Sequence, residues 1–235
     1  MKAMILAAGL GTRLKPLTNN IPKALVKVKN KTLLELIIEK LKKSGIAEII
    51  INVHHFPDMI IDYLETNKYF NTHIEISDER DMLLDTGGGI KKARWFLESD
   101  DFIVHNVDVI SDLNLQEMYV THKNNNPLAT VAVKSRKTQR YFLFDNELNL
   151  CGWKNNTTGD LKIVRSSDKE LIPLAYSGIQ IISPQIFDLM TGTGKFSIID
   201  TYLRLAKNEK IKGYCDDKSS WYDVGKLDVL NFLQK

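Results

Sequence analysis

Apolar positions along the first hundred residues alternate between two rhythms. Lys2–Ala8 is a short apolar run closed by Gly9, the pattern of a strand buried on both faces. The next segment, 32–43, places Leu33, Leu34, Ile37, Ile38 and Leu41 on one face of a helix. Thr32 and Glu35 read as a capping box at its start, and Gly45 stands just past its end. Glu48–Val53 is a β-branched run and predicts a second buried strand. The spacing then predicts a helix over 57–66, a strand over 73–77, a helix over 89–97 and a strand over 101–104. Strands alternating with helices imply βαβ units and a mostly parallel sheet covered on both faces. From residue 128 the rhythm changes. Strand-like segments at 128–134, 141–145, 161–164 and 174–182 predict antiparallel pairing, followed by a strand near 210–215 and a helix over 226–233. No Pro/Gly/Ser-rich linker divides the halves, so the expectation is a single domain over 1–235. Its first lobe would span about 1–112 and its second 113–235. The expected class is α/β, a Rossmann-like mixed, mostly parallel sheet flanked by helices, with a smaller antiparallel lobe.

Composition narrows the function classes. Hydrophobic residues make up 43% of the 235 residues and charged residues 26%, enough apolar material for a core and too much for a disordered chain. The net charge of +3 is too small to argue for a nucleic-acid or membrane partner. Two cysteines, Cys151 and Cys215, do not make a disulfide scaffold and read as reduced thiols. The apolar run at the N-terminus is too brief for a signal peptide, and a cytoplasmic location is the expectation. The Asn-x-Thr triplets at Asn30, Asn155 and Asn156 then carry no weight.

The chemistry concentrates after the first strand. Gly9 and Gly11 let the backbone approach a ligand closely, and the exposed N–H groups of such a loop suit anions. Arg13 and Lys23 add fixed positive charge, a planar fork and a point charge respectively. Pro16 and Pro22 punctuate the segment, and the whole reads as a polyphosphate cradle at a strand's carboxyl end. Two rival phosphate motifs are broken. The dinucleotide fingerprint needs glycine where Leu14 stands, and a P-loop ending at Gly194-Lys195 fails at Leu189 and Phe196.

Two carboxylates follow strands: Asp108 in His105-Asn106-Val107-Asp108, and Asp223 in Trp221-Tyr222-Asp223-Val224-Gly225. Alone, each is better read as a cap, as is Asp112. Together with a basic phosphate loop they make a metal-assisted phosphoryl or nucleotidyl transfer site. Mg²⁺ suits such a site, since it takes one or two carboxylates plus substrate phosphates. The run Thr86-Gly87-Gly88-Gly89 leaves room for something flat or large against the backbone. His54 and His55 lack partners at metal-binding spacing.

These residues resemble the sugar-1-phosphate nucleotidyltransferase family, whose N-terminal signature is matched from Leu6 to Lys23. In pattern the chain is most similar to the N-acetylmuramate-1-phosphate uridylyltransferases and the short mannose-1-phosphate guanylyltransferases. The resemblance implies the GT-A-like nucleotidyltransferase fold and an enzyme that makes a nucleotide sugar and pyrophosphate, with UTP and N-acetylmuramate 1-phosphate or a similar sugar as first choice. A mannose- or heptose-1-phosphate guanylyltransferase is the alternative, cell-wall metabolism an expected setting, and a catalytically silent nucleotide-sugar-binding sensor the rival of another class. Leu6, Ala7, Ala8, Gly9, Thr86, Gly87 and Gly88 would hold base and ribose, and Gly11, Thr12 and Arg13 the triphosphate. Arg13 and Lys23 would be catalytic, with Lys23 binding phosphate at the reacting centre. Asp108 and Asp223 would bind Mg²⁺. Tyr176, Ser177 and Gly178 would line the sugar pocket, and Lys154 would contact the sugar phosphate. Val107 departs from the family, which usually has glycine there. No hexapeptide repeat is present, so no β-helix trimer is expected, and the assembly is expected to be a monomer or a homodimer.

Overall fold

In the computed structural model, which describes residues 1–234, the apolar run Lys2–Leu6 lies between Glu48–Val53 and Phe102–Asn106, parallel to both. His73–Asp78 adds in parallel outside Glu48–Val53. Successive side chains of a buried strand point to opposite faces, and both faces here are apolar. Ala3 and Ile5 join the core that contains the helix Leu33–Lys43, whereas Met4 joins the core under Phe96, Phe187 and Tyr202. This explains why these strands read as continuous rather than alternating apolar runs.

Beyond Phe102–Asn106 the pairing becomes antiparallel. The long strand Ile172–Ile182 pairs with Phe102–Asn106, with Ala129–Lys134 and, at its start, with Arg140–Phe144. Leu150–Asn155 and Leu161–Ile163 extend the sheet from Arg140–Phe144, and Ile211–Cys215 lies parallel to Ala129–Lys134. The ten strands form one continuous mixed sheet flanked by helices, parallel on one side and, apart from the parallel Ile211–Cys215 strand, antiparallel on the other. The register slips between Tyr176 and Gln180, where Gly178 takes φ +77°. That bulge kinks the central antiparallel strand beside the sheet's carboxyl edge.

Several elements differ from the sequence reading. Thr32 caps the helix Leu33–Lys43 by accepting from the Glu35 amide at 3.1 Å, but the Glu35 carboxylate accepts from the Tyr63 hydroxyl instead, so only half of the box forms. The helix expected from residue 89 begins at Asp85 and runs to Lys92, then restarts at Arg94. Three glycines disfavour a helix by propensity. Here the amides of Gly87 and Gly88 both donate to the Phe196 carbonyl, which anchors the first turn. The helices Leu115–Asn125 and Ile198–Leu205 and the strand Leu150–Asn155 add to the elements that the sequence pattern predicts. Leu115–Asn125 buries only Leu115, Met118 and His122, too narrow a stripe to stand out in a polar segment. Asp112 is not a helix cap. It accepts from the amide and hydroxyl of Ser220, and Asn114 caps the following helix.

Candidate active site

The loop after the first strand folds onto itself. Gly11 takes φ +64°, and its carbonyl accepts from the Leu14 amide at 2.9 Å and the Thr18 hydroxyl at 2.8 Å. A side chain at Gly11 would lie 2.9 Å from Thr18 Cγ2 and 3.2 Å from Lys23 Cβ, so glycine is required by space as well as by φ. This turn sends Arg13 outward and leaves Lys23 at the start of a short 3₁₀ turn, only 9% exposed. A lysine buried to that degree needs a counter-charge. Lys23 finds it in the carboxylate of Asp108.

Asp108 sits in the turn between Phe102–Asn106 and the short strand Val109–Ser111. That short strand pairs antiparallel with Trp221–Asp223, with Asp223 opposite Val109, and the Val224 amide donates to the Asp108 carbonyl at 2.9 Å. Carboxylates 115 residues apart in sequence thereby share one cation. Arg13 reaches Asp108 Oδ2 at 3.5 Å through Nη2 and Asp223 Oδ2 at 3.0 Å through Nη1. Gly225 makes room for this fork, since a Cβ there would lie 2.5 Å from Arg13 Nη2. The sequence Lys23–Asp108–Arg13–Asp223 is a chain of alternating charge. Among the described residues no group of three or more His, Cys, Asp or Glu is arranged to hold a metal ion by itself. Two convergent carboxylate oxygens are nevertheless a donor set that fits a hard divalent cation completing its shell with phosphate and water.

The charge cluster lies where two clefts meet. The first, of about 340 Å³, is walled by Leu6, Ala7, Ala8 and Gly9 on one side and by Asp85 and Thr86 on the other, with Lys23 and Asp108 at one end. Its floor is braced by Asn52, which accepts from the Ala7 amide at 2.8 Å and donates to Glu79 at 2.8 Å. Glu79, almost fully buried, also accepts from the Leu84 amide at 3.1 Å. The second, of about 1,020 Å³, is bounded by Arg13 and Asp223 and extends over Arg136, Tyr141, Asn155 and Trp221. Arg13 and Asp223 thus face one cleft, and Lys23 and Asp108 face the other.

The remaining expected residues are placed as follows. Gly87 and Gly88 do not line the first cleft. Added side chains there would meet the Phe196 ring at 2.6 Å and the Gly194 carbonyl oxygen, so the glycines admit the chain's own 194–196 segment. Thr86 faces the cleft, while its hydroxyl accepts from the Ile198 amide at 3.0 Å. Gly11 and exposed Thr12 lie in the loop and line neither cleft. Val107 is buried against the core and borders the first cleft. Tyr176 packs against Phe142, and burial pushes its phenol pKa up. The carbonyls of Tyr176 and Ser177 accept from Arg136 at 2.8 Å and Trp221 at 2.8 Å, so this stretch shapes the second cleft through its backbone. Gly178 packs against Val109 and Asn106. Lys154 lies 5.4 Å from the Tyr141 ring centre and does not line the second cleft, although its neighbour Asn155 does. Sequence reasoning missed Asn52, Glu79, Asp85 and Lys195 in the first cleft and Arg136 in the second. Asn52, a polar residue inside a β-branched run, was the available signal. His54 donates from Nδ1 to the Glu79 carbonyl at 2.7 Å and joins no metal-holding group among the described residues.

Residues 2–147 match the family model described as nucleotidyl transferase. Over 232 residues the chain is 33% identical to the N-acetylmuramate alpha-1-phosphate uridylyltransferase of Caulobacter vibrioides, covering 95% of this chain and 91% of that protein. It is 32% identical to the mannose-1-phosphate guanyltransferase of Yarrowia lipolytica over 96% of this chain, but spans only 61% of that longer protein. The fold matches the UDP-glucose pyrophosphorylase from Acinetobacter baumanii with a TM-score of 0.79 at 20% identity, covering 99% of this chain and 91% of that one.

Proposed function

The chain belongs to the nucleotidyl transferase family, among the enzymes that act on sugar 1-phosphates, and we propose that it joins UTP to N-acetylmuramate 1-phosphate or a similar sugar, releasing pyrophosphate. The observation that carries this reading is the alternating charge cluster at the seam of two clefts. A nucleotide lying along the first cleft and a sugar phosphate in the second would bring their phosphates together at that seam. In this reading residues 1–112 mainly hold the nucleotide, and residues 113–235 mainly hold the sugar and supply Asp223.

The reaction forms a bond from a sugar-phosphate oxygen to the α-phosphorus and breaks the bond from that phosphorus to pyrophosphate. The phosphate monoester is already largely ionised near neutral pH, its second pKa being about 6, so no general base is required. The obstacle is repulsion between anions. Lys23, held at the reacting end of the first cleft by Asp108, places a point charge beside the attacked phosphate. Arg13 spans the seam and forks onto phosphate oxygens on the leaving side. The glycine loop offers amides to the triphosphate. Asp108 and Asp223 are the residues that would hold Mg²⁺, which when bound supplies charge neutralisation and orientation of the phosphates. The carboxylates now shared with Arg13 and Lys23 are released for that role when substrate phosphates take over those cations.

A guanylyl reading has one specific observation in its favour. Asp85, held at φ +61°, presents an exposed carboxylate at the wall of the first cleft. A carboxylate accepts two hydrogen bonds from adjacent donors, which the guanine edge offers and the uracil edge does not. Mannose or heptose 1-phosphate would then be the sugar. A cytoplasmic setting follows from these phosphorylated substrates. Among the described residues no helix is long and apolar enough to cross a membrane.

The deciding experiment is pyrophosphate release with UTP, GTP, CTP and dTTP, each against N-acetylmuramate, N-acetylglucosamine and mannose 1-phosphates and phosphocholine. Turnover with one sugar pair is the expected result. Nucleotide-sugar binding without turnover of any pair would assign the chain to the silent sensors instead.

A further inference from the structure

The second cleft carries more positive charge than one sugar phosphate calls for. Arg136, Lys137, Arg140 and Lys226 line it beyond Arg13, and Asp223 is its single carboxylate. Three of these four side chains are solvent-exposed, and charge there is inexpensive. Arg136 is different. It is half-buried, its guanidinium lies 3.9 Å from the centre of the Trp221 ring, and Nη2 donates to the Tyr176 carbonyl at 2.8 Å. Trp221 is itself fixed by donating from Nε1 to the Ser177 carbonyl at 2.8 Å. Arg136 Nε is buried without a partner, and among the described residues no carboxylate lies within ion-pair distance of the group. Burial pulls its pKa down, and the more distant Asp223 only partly opposes this. A rigidly held, incompletely paired guanidinium in a cleft is costly without an anion to meet it. In the reading above Lys23 stands beside the phosphorus that the 1-phosphate attacks, so the 1-phosphate meets its cation at the seam.

Resting on the sugar-phosphate reading above, we infer that Arg136 is a specificity-determining residue that receives a second anionic group on the sugar, a ring-borne carboxylate. The planar fork of an arginine stacked on an aromatic face matches a carboxylate. The wall opposite supplies what the rest of such a sugar needs. Asn155, Asn156, Thr157 and Thr158 offer amides and hydroxyls, and Tyr141 offers an apolar face.

N-acetylmuramate 1-phosphate and N-acetylglucosamine 1-phosphate differ only by a lactyl ether that bears a carboxylate, so their ratio reads this contact directly. In the wild-type enzyme, kcat/KM for the acidic sugar should exceed that for the neutral one. In Arg136→Met the ratio should fall by about 10- to 100-fold, the worth of one charge-assisted hydrogen-bonded pair, through KM more than kcat. Arg136→Lys, which keeps the charge without the fork, should recover part of it. Equal losses on both sugars, or a wild-type ratio near one, would overturn the inference, since a merely structural arginine does not discriminate between them. If no pair turns over, the functional reading fails by itself. Calorimetric binding of the same two sugar phosphates then decides: preferential binding of the acidic one, lost in Arg136→Met, sustains the inference, and equal binding refutes it.

Discussion

Asp108 answers to two cations at once, Lys23 through a direct ion pair and Arg13 at 3.5 Å. Replacing its carboxylate by an amide keeps the shape and removes the charge both cations are set against. Asp108→Asn is expected to lower turnover by at least about 10², the scale of losing one electrostatic group at a reacting centre. Steady-state pyrophosphate release measures it, and near-normal turnover would take Asp108 out of the site. Gly225→Ala tests the same cluster from its edge. The new Cβ would stand 2.5 Å from Arg13 Nη2 and 2.8 Å from Asp223 Oδ1, so the guanidinium must swing away. Because the clash is with the end of a flexible side chain, the melting temperature should hardly move. Turnover should fall by about 10-fold or more from the misplaced fork. His105 acts through stability instead. Fully buried at the end of the strand Phe102–Asn106, it has its pKa pulled down from 6.5 to about 4, chiefly by burial, with its Nδ1 against the Asn106 carbonyl. Between those values the unfolded chain binds a proton that the folded one refuses, so stability falls as pH drops from about 6.5 toward 4. The loss is on the order of 3 kcal/mol. Urea unfolding at pH 7 and pH 5 should show it, and His105→Gln should flatten the slope.

At the scale of elements, the helix Asp85–Lys92 depends on its glycines for packing against another part of the chain. Alanine is the better helix former by roughly 1 kcal/mol. At Gly88, however, the added Cβ would run into the Gly194 backbone carbonyl. Overpacking against backbone costs about 1–3 kcal/mol, so Gly88→Ala should destabilise despite its propensity gain. At this chain length each kcal/mol is about 2–4 °C, and a melting curve several degrees lower is the expected readout. An unchanged or raised melting temperature would mean that the 194–196 segment does not press on the helix. The short pairing of Val109–Ser111 with Trp221–Asp223 is the other decisive element, because its register alone sets Asp223 beside Asp108.

For the whole molecule, the seam between the clefts sets the expected metal dependence. Asp108 and Asp223 come from distant parts of the sequence, and among the described residues no third acidic, histidine or cysteine ligand joins them. A site of two carboxylates holds a divalent ion weakly until substrate phosphates complete its shell. EDTA should therefore abolish pyrophosphate release, excess Mg²⁺ should restore it, and the melting temperature of the substrate-free protein should be little affected by either. A large drop in melting temperature on chelation would point to a structural metal instead.

Local chemistry was enough to specify the strands of the parallel half, the capped helix Leu33–Lys43 and the loop that holds Arg13 and Lys23. Their apolar periods and glycine positions are properties of neighbouring residues, and burial on both faces leaves a continuous apolar run. The family, too, was legible from Leu6 to Lys23, since that signature is contiguous. The resemblance placed Asp223 and Asp108 in one site, but the contact that joins them is decided only by tertiary structure, because a three-residue pairing across more than a hundred residues leaves no periodic trace. It also turned Gly87 and Gly88 from open space into the seat of Phe196 and Gly194, and the carbonyls of Tyr176 and Ser177 into the anchors of Arg136 and Trp221. Backbone carbonyls and missing side chains have no residue type of their own, so which surface meets them is settled only when distant segments pack.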